Sequence, residues 1–380
     1  MVFGADTASL AGKEVKTFGG TNVLVLYGGG SAQKSGVIDT VTRSLESEGI
    51  GYSCVGGVQP NPLSQFAQKT VDDYKDKNID FVLAVGGGSV IDTAKGVAHG
   101  LAEPTVPVWN FFTADAAVKT SLPVGAILTI AAAGSETSDS AVLTNQDAGE
   151  KRGLNTDFNR PKFAIMDPTL TYSIPPRLTA CGAVDILMHT LDRYFAPNTG
   201  NDVTDELAEA LMRVIIKYGK LAVEVPHDYK ARAELMWAGS LSHNGLMGLG
   251  QGIDFSAHRL GVVFSAKYDS PHGESLSAVW PAWARFVYHK DVSRFAKYAR
   301  SVWGVTDSDD KTAAEAGIAA TENYFKSLDM PVTITELAGK KVADDIDKLV
   351  KLCTFNGTRI IGAFKVLSEE DITSIFQAAL

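Results

Sequence analysis

The residues best equipped for chemistry in this 380-residue chain are one carboxylate and three imidazoles in its second half: Asp185, His189, His258 and His272. Asp185 and His189 stand four apart in the apolar run CGAVDILMHTLD, which reads as helix. That spacing puts both on one face, about one turn apart. His258 (DFSAHRLG) and His272 (YDSPHGES) follow fourteen apart. One oxygen and three ring nitrogens suit a divalent transition metal such as Zn2+ or Fe2+. The chain has only seven histidines, and three of them belong to this set. A carboxylate in an apolar helix needs a partner, and a salt bridge to Arg193 is the plainer alternative. His99, His227, His243 and His289 are read as ordinary structural residues.

A second kind of chemistry lies upstream, in AVGGGSVIDTAK. Gly86, Gly87 and Gly88 let backbone approach a pyrophosphate closely, and the helix that follows Ser89 offers free N–H groups and its dipole. The motif is not the GxGxxG dinucleotide fingerprint, and alone it could be a plain tight turn. Asp92 and Lys95 could be first-turn helix charges. Two further glycine turns after strand-like runs, Gly28-Gly29-Gly30-Ser31 and Gly134-Ser135, strengthen the reading of a dinucleotide site.

These residues need a scaffold. Residues 22–27 (NVLVLY), 51–58, 81–89 and 124–136 read as short apolar strands running into glycine. Between them, 34–48, 60–77 and 90–102 carry helical periodicity. Such alternation implies parallel strands with helical crossovers. After Ile174-Pro175-Pro176 long helical stretches follow, at 178–195, 202–223, 228–247, 274–303 and 311–328, then from about 368. The double proline divides the chain into an α/β dinucleotide-binding domain, 1–176, and an all-helical metal-binding domain, 177–380.

Composition narrows the class. A net charge of -9 disfavours nucleic acid or an anionic membrane as partner. No apolar run reaches the ~18–20 residues that a membrane span needs. The N-terminus lacks the basic start and apolar core of a secretory signal. Three cysteines, Cys54, Cys181 and Cys353, show no close pairing and fit a reducing compartment. A cytoplasmic protein is expected.

The motifs GGGSVIDTAK, PNP (60–62), AAAGSE (131–136), FAIMDPTL (163–170), GAVDILMH (182–189) and the H-x13-H of 258–272 resemble, in order and spacing, the iron-containing (group III) alcohol dehydrogenases, nearest their NADPH-dependent butanol dehydrogenase and aldehyde reductase branch. The resemblance runs from about residue 3 to the C-terminus. It implies a two-domain architecture like that of dehydroquinate synthase, with the active site in the cleft, and a homodimer. It implies reversible hydride transfer between NADP(H) and a primary alcohol/aldehyde pair, with Asp185, His189, His258 and His272 as ligands of Fe2+ or Zn2+. By the same resemblance Gly86, Gly87, Gly88 and Ser89 hold the pyrophosphate with Asp92 nearby. Asn61 matches the asparagine of the PNP loop, Lys151 a lysine that reaches the cofactor ribose, and Thr129 a threonine beside the adenine. NAD-preferring relatives place an Asp after the first strand, and here that position is Gly29; loss of the acid permits NADP and leaves NAD open. This chain departs from the family at Val262, where many relatives carry a second histidine, and at Ala133 and Ser138. Tyr268, a water or a cofactor hydroxyl would then carry protons. A glycerol dehydrogenase-like polyol enzyme, or a cofactor-binding protein without turnover, are the alternatives.

Overall fold

The computed structural model describes residues 1–198 and 200–380, and of Ser31 the backbone only. Two compact units divide the chain: Met1–Ile174 with Pro226–Ser240, and Pro175–Val225 with Leu241–Leu380.

The first unit carries β1 (Val2–Phe3), β2 (Asn22–Tyr27), β3 (Gly51–Val55), β4 (Phe81–Gly86), β5 (Val124–Leu128), β6 (Ser140–Asn145), β7 (Glu150–Asn155) and β8 (Phe163–Met166). Its helices are α1 (Ala11–Thr17), α2 (Gly30–Lys34), α3 (Val37–Ser47), α4 (Ser64–Tyr74), α5 (Gly88–Ala102) and α6 (Val108–Thr113). Six strands form one parallel sheet in the order β3-β2-β4-β5-β8-β1. The strands are apolar on both faces because helices cover both. Val23, Val25, Phe81, Leu83, Val85 and Ile165 face Ala11, Val15, Val41 and Leu45 of α1 and α3. Their alternates Leu24, Leu26, Val82 and Ala84 face Val71, Ile91, Val97 and Phe111 of α4, α5 and α6. From β2 the chain moves outward to β3 and then returns to the other side of β2 to form β4. That reversal makes β2/β4 the switch point of the sheet, where the loops at the carboxyl ends diverge and leave a crevice. Both glycine loops lie there. β6 and β7 form a separate antiparallel hairpin, which the sequence reading did not assign.

The second unit is helical. Its elements are α7 (Pro176–Tyr194), α8 (Asp202–Glu224), the last residues of α9 (Tyr229–His243), α10 (Ser256–Tyr268), α11 (His272–Val287), α12 (Val292–Trp303), α13 (Asp310–Ser327), α14 (Ile334–Ala338), α15 (Ile346–Thr354) and α16 (Glu369–Ala378). Among the described residues no strand follows β8, only an isolated bridge between Ile361 and Leu367. The expected pairing of an α/β half with an all-helical half is therefore the observed fold.

Two details differ from the sequence reading. The stretch 274–303 is two helices, because Asp291 breaks it and caps α12 by accepting the Arg294 N–H. The expected boundary is at 176/177; the compact units divide at Ile174/Pro175, and Pro226–Ser240 returns to the first unit. The reason is packing: Met236 of α9 is fully buried in the core beneath α4 to α6, and Ser240 donates to Glu136. No helix among the described residues is long and apolar enough to cross a membrane.

Candidate metal centre and cofactor loops

α7 is buried all round from Thr179 to Tyr194, as a helix at the centre of a helical unit must be. Its Asp185, His189 and Asp192 recur at i, i+4 and i+7 and so share one stripe. His258 enters from the first turn of α10, and His272 is the first residue of α11. Close approach of α11 to α7 depends on Gly273, since a Cβ there would lie 2.3 Å from the Cys181 carbonyl oxygen. This seats His272 against Asp185.

The three imidazoles converge on one oxygen. Asp185 Oδ1 lies 3.5 Å from His189 Nε2, 3.6 Å from His258 Nε2 and 3.6 Å from His272 Nε2. These separations are too long for hydrogen bonds. They match what a cation requires: donors set tetrahedrally ~2.1 Å from an ion stand ~3.4 Å from one another. The ligand atoms of Asp185, His189 and His258 all lie within 4.8 Å of one another. Asp185 Oδ1 and His258 Nε2 are buried with no hydrogen-bond partner, which native interiors rarely tolerate. The donor set thus fits a divalent ion.

Charge supports the geometry. Burial alone would raise the Asp185 carboxyl, but the neighbouring imidazoles, His272 foremost, hold it below the usual carboxylate range. Burial, then the charges of His243, His258 and Arg193, keep His189 neutral, well below the ordinary imidazole value. His258 goes the other way. Burial opposes its charge, yet the Asp192 and Asp185 carboxylates raise it to about 9. The cause is a very short contact from His258 Nδ1 to Asp192 Oδ2. A carboxylate on Nδ1 fixes the tautomer and turns Nε2 toward the ligand cluster.

Sequence reasoning missed three residues here. Asp192 is one; its position at i+7 was the available signal. His243 is another: its ring stacks on His189 at 4.1 Å, so it belongs to the centre's surroundings. Phe255 is the third, with its ring 5.0 Å from His258 and 5.7 Å from His189. It holds φ at 56°, a left-handed conformation that is costly for an aromatic residue and clusters at functional sites. Arg193 donates to the His189 carbonyl at 2.7 Å and lies over the Phe255 ring. Val262 is half-buried on α10, one turn beyond His258 and on its face. The Tyr268 hydroxyl donates to Asp345 at 2.8 Å, which draws that proton-carrying candidate to another carboxylate.

In the first unit the other candidates gather at the carboxyl ends of β2, β4 and β5. Gly28 and Gly29 follow β2, and Gly30 opens α2. Gly86 ends β4, Gly87 caps α5, and Gly88 and Ser89 form its first turn. Thr129 follows β5 and its N–H bonds the Gly86 carbonyl at 3.1 Å. Gly87 is obligatory, because a Cβ there would sit 2.1 Å from Ile130 Cγ2. Asn61, at φ 52°, accepts a 2.9 Å hydrogen bond from Lys151 Nζ on β7, so the hairpin delivers one candidate to the other. Asp92 is already engaged: its Oδ1 accepts from Ser135 Oγ at 2.5 Å and its Oδ2 from the Val142 N–H at 3.0 Å. The Ser31 side chain lies outside the described residues.

Residues 1–168 match the model for iron-containing alcohol dehydrogenase, and residues 179–380 match that for the C-terminal part of the Fe-containing alcohol dehydrogenase family. The chain belongs to the iron-containing alcohol dehydrogenases. It is 37% identical to the NADH-dependent butanol dehydrogenase A of Clostridium acetobutylicum, over 99% of this chain and 96% of that one. It is 34% identical to the NADPH-dependent aldehyde reductase YqhD of Escherichia coli, over 86% of this chain and 85% of the relative. The solved structure of NADH-dependent butanol dehydrogenase A from Thermotoga maritima is similar at a TM-score of 0.95 and 36% identity, covering 100% of this chain and 96% of that chain. The protein is accordingly an NAD(P)-dependent alcohol dehydrogenase, which sets aside the alternative of a binding protein without turnover. For an iron-containing alcohol dehydrogenase, a buried Asp/His/His group able to hold a metal is the expected centre.

Proposed function

We propose that this dehydrogenase interconverts short primary alcohols and aldehydes of the butanol/butanal kind, with NADP(H) as its preferred cofactor. Asp185, His189, His258 and His272 are the ligands of one Fe2+ or Zn2+ ion. The observation that carries this reading is the convergence of three Nε2 atoms on Asp185 Oδ1 at 3.5–3.6 Å. When bound, the ion supplies Lewis-acid polarisation of a carbonyl oxygen and the nicotinamide supplies the hydride.

The chain's own residues then have separable tasks. Asp185 brings the carboxylate oxygen to a site whose other donors are imidazole rings. Asp192 holds His258 in the tautomer that leaves Nε2 free to coordinate. Gly86, Gly87, Gly88 and Ser89 offer backbone N–H groups and the α5 dipole to a pyrophosphate. Gly28, Gly29 and Gly30, with Ser31, would hold the adenosine end of the cofactor. Asn61, Lys151, Thr129 and Asp92 complete the cofactor surroundings. No carboxylate stands at Gly29 to repel a 2′-phosphate, and a Cβ there meets no atom within 4 Å. The relatives are named both NADH- and NADPH-dependent, so the preference rests on Gly29. With valine at 262, protons pass by water or a cofactor hydroxyl. A cytoplasmic homodimer is part of the reading.

The test is elemental analysis of anaerobically purified protein, followed by an aldehyde panel with NADPH and NADH. One iron or zinc per chain and a higher kcat/KM for butanal with NADPH is the expected result. A polyol preference such as glycerol over butanol would replace this reading with the glycerol dehydrogenase-like one.

A further inference from the structure

Lys95 is fully buried in α5, two turns beyond the Gly86–Ser89 turn. The sequence reading offered helix charges as the plainer alternative for it and Asp92, but Lys95 is fully buried, and half-buried Asp92 has both carboxylate oxygens hydrogen-bonded. Its ammonium donates to Ser135 O at 2.7 Å, Ser135 Oγ at 2.8 Å and Ser140 O at 2.6 Å, and lies 3.3 Å from Ser138 O. Ser135 Oγ donates in turn to Asp92 Oδ1, one turn before Lys95 on α5, and Asp92 Oδ2 accepts from the N–H of Val142. A buried ammonium carries a desolvation cost that an aliphatic side chain at the same place would not. What only the ammonium can do is tie carbonyl oxygens of a segment with no ladder of its own, Ser135 O and Ser138 O, to Ser140 O at the start of β6. That segment, residues 129–139, lies directly on the glycine turn. Ile130 Cγ2 occupies the space beside Gly87, and Ala133 Cβ would lie 3.7 Å from a Cβ on Gly88.

We propose that Lys95, steadied by Asp92 and Ser135, is a positioning residue for the dinucleotide: it fixes the 129–139 segment against the glycine turn and so sets cofactor affinity. This rests on the reading of Gly86–Ser89 as the cofactor loop. Loss of the ammonium leaves Ser135 O without its donor and Ser140 O with only a long 3.4 Å bond from Ser138 Oγ, the segment relaxes, and the turn loses the wall that shapes it. The metal ligands are all contributed by other elements, so metal content is untouched.

The experiment uses the full chain and titrates NADPH and NADH by nicotinamide fluorescence, with metal content and melting temperature measured in parallel. Lys95→Met has the length but none of the donors, and is expected to raise the cofactor Kd by ~10-fold or more, as loss of hydrogen bonds to a charged group implies. The loss falls on Kd and on KM for the cofactor more than on kcat. Ser135→Ala shifts Kd the same way by a smaller factor, and it decides the matter if Lys95→Met does not fold. Gly88→Ala separates the two claims, since the fold has room for its methyl group but a pyrophosphate would not. If Gly88→Ala weakens binding while folded Lys95→Met and Ser135→Ala bind normally, the positioning role is overturned. If Gly88→Ala itself leaves both Kd values unchanged, the cofactor-loop reading falls and this inference falls with it.

Discussion

Removing His189 should abolish the stabilisation that a metal confers, and the size of that effect follows from the structure. His189 is buried on α7 with Nε2 3.5 Å from Asp185 Oδ1. A ligand that binds only the folded state stabilises it by ~2.7 kcal/mol at a hundredfold excess over its Kd. For a unit of about 190 residues each kcal/mol moves the midpoint by ~2–4 °C, so Zn2+ or Fe2+ should raise the melting temperature of the chelator-stripped protein by ~5–11 °C. His189→Ala should lose that increment together with turnover. It should also melt lower without metal, because truncating a buried ring leaves a cavity worth roughly 2–4 kcal/mol. The two effects separate cleanly: the cavity cost persists in chelator, whereas the metal increment does not. The assay is differential scanning fluorimetry with and without chelator, alongside elemental analysis. A His189→Ala protein that keeps full occupancy and the full increment would refute the ligand assignment.

Three further outcomes are expected. Asp192→Asn should weaken metal binding by ~10–100-fold above pH 9, where His258 is neutral in both forms. As pH falls below about 9 the gap should narrow, because only the wild-type His258 holds a proton that the metal must displace; chelator competition at two pH values measures this, and a gap that widens toward pH 7 would count against it. Gly29→Asp should shift preference toward NADH by repelling a 2′-phosphate, since the position is open to a side chain; a parent protein already more efficient with NADH would show that the loop has been misread. Val262→His should raise turnover or move the pH optimum if an imidazole one turn past His258 can help proton transfer, help worth ~10²–10⁴-fold where a side chain is well placed. Uniformly lower rates with unchanged pH–rate profiles, on one short and one long aldehyde, would mean that Val262 shapes the pocket instead.

The parts of this molecule that were legible in its sequence are those whose physics is local. β2 and β4 were legible because a strand buried on both faces is a continuous apolar run, and their ends because glycine interrupts it. The Asp185/His189 pair was legible because a carboxylate inside an apolar helix has few innocent explanations. Helix α10 was not read, since Gly261 sits mid-helix and weakens the pattern. The structure supplies the reason for that glycine: a Cβ there would meet Leu276 at 2.9 Å, so the residue that obscures the helix is the one that lets α10 approach α11. The β6–β7 hairpin was missed because NQDAGE looks like a surface loop, although Gly149 at φ 64° is a turn signal between two strands.

What stayed hidden in the site is of another kind. His243 and Phe255 reach His189, and Asp192 reaches His258, across segments far apart in the chain, and only Asp192, at i+7 from Asp185, left a spacing signal. Each carries a plausible ordinary role, as a helix charge, a core histidine and a core aromatic. The same holds for Lys95, whose i+3 spacing from Asp92 suggests a simple helix pair. In the fold the two side chains are joined instead through Ser135, which reaches them from beyond β5. Ligands that must lie on one stripe leave a periodic trace in sequence; the residues that orient them answer only to the packed structure, and it is on those residues that a variant screen of this dehydrogenase should concentrate.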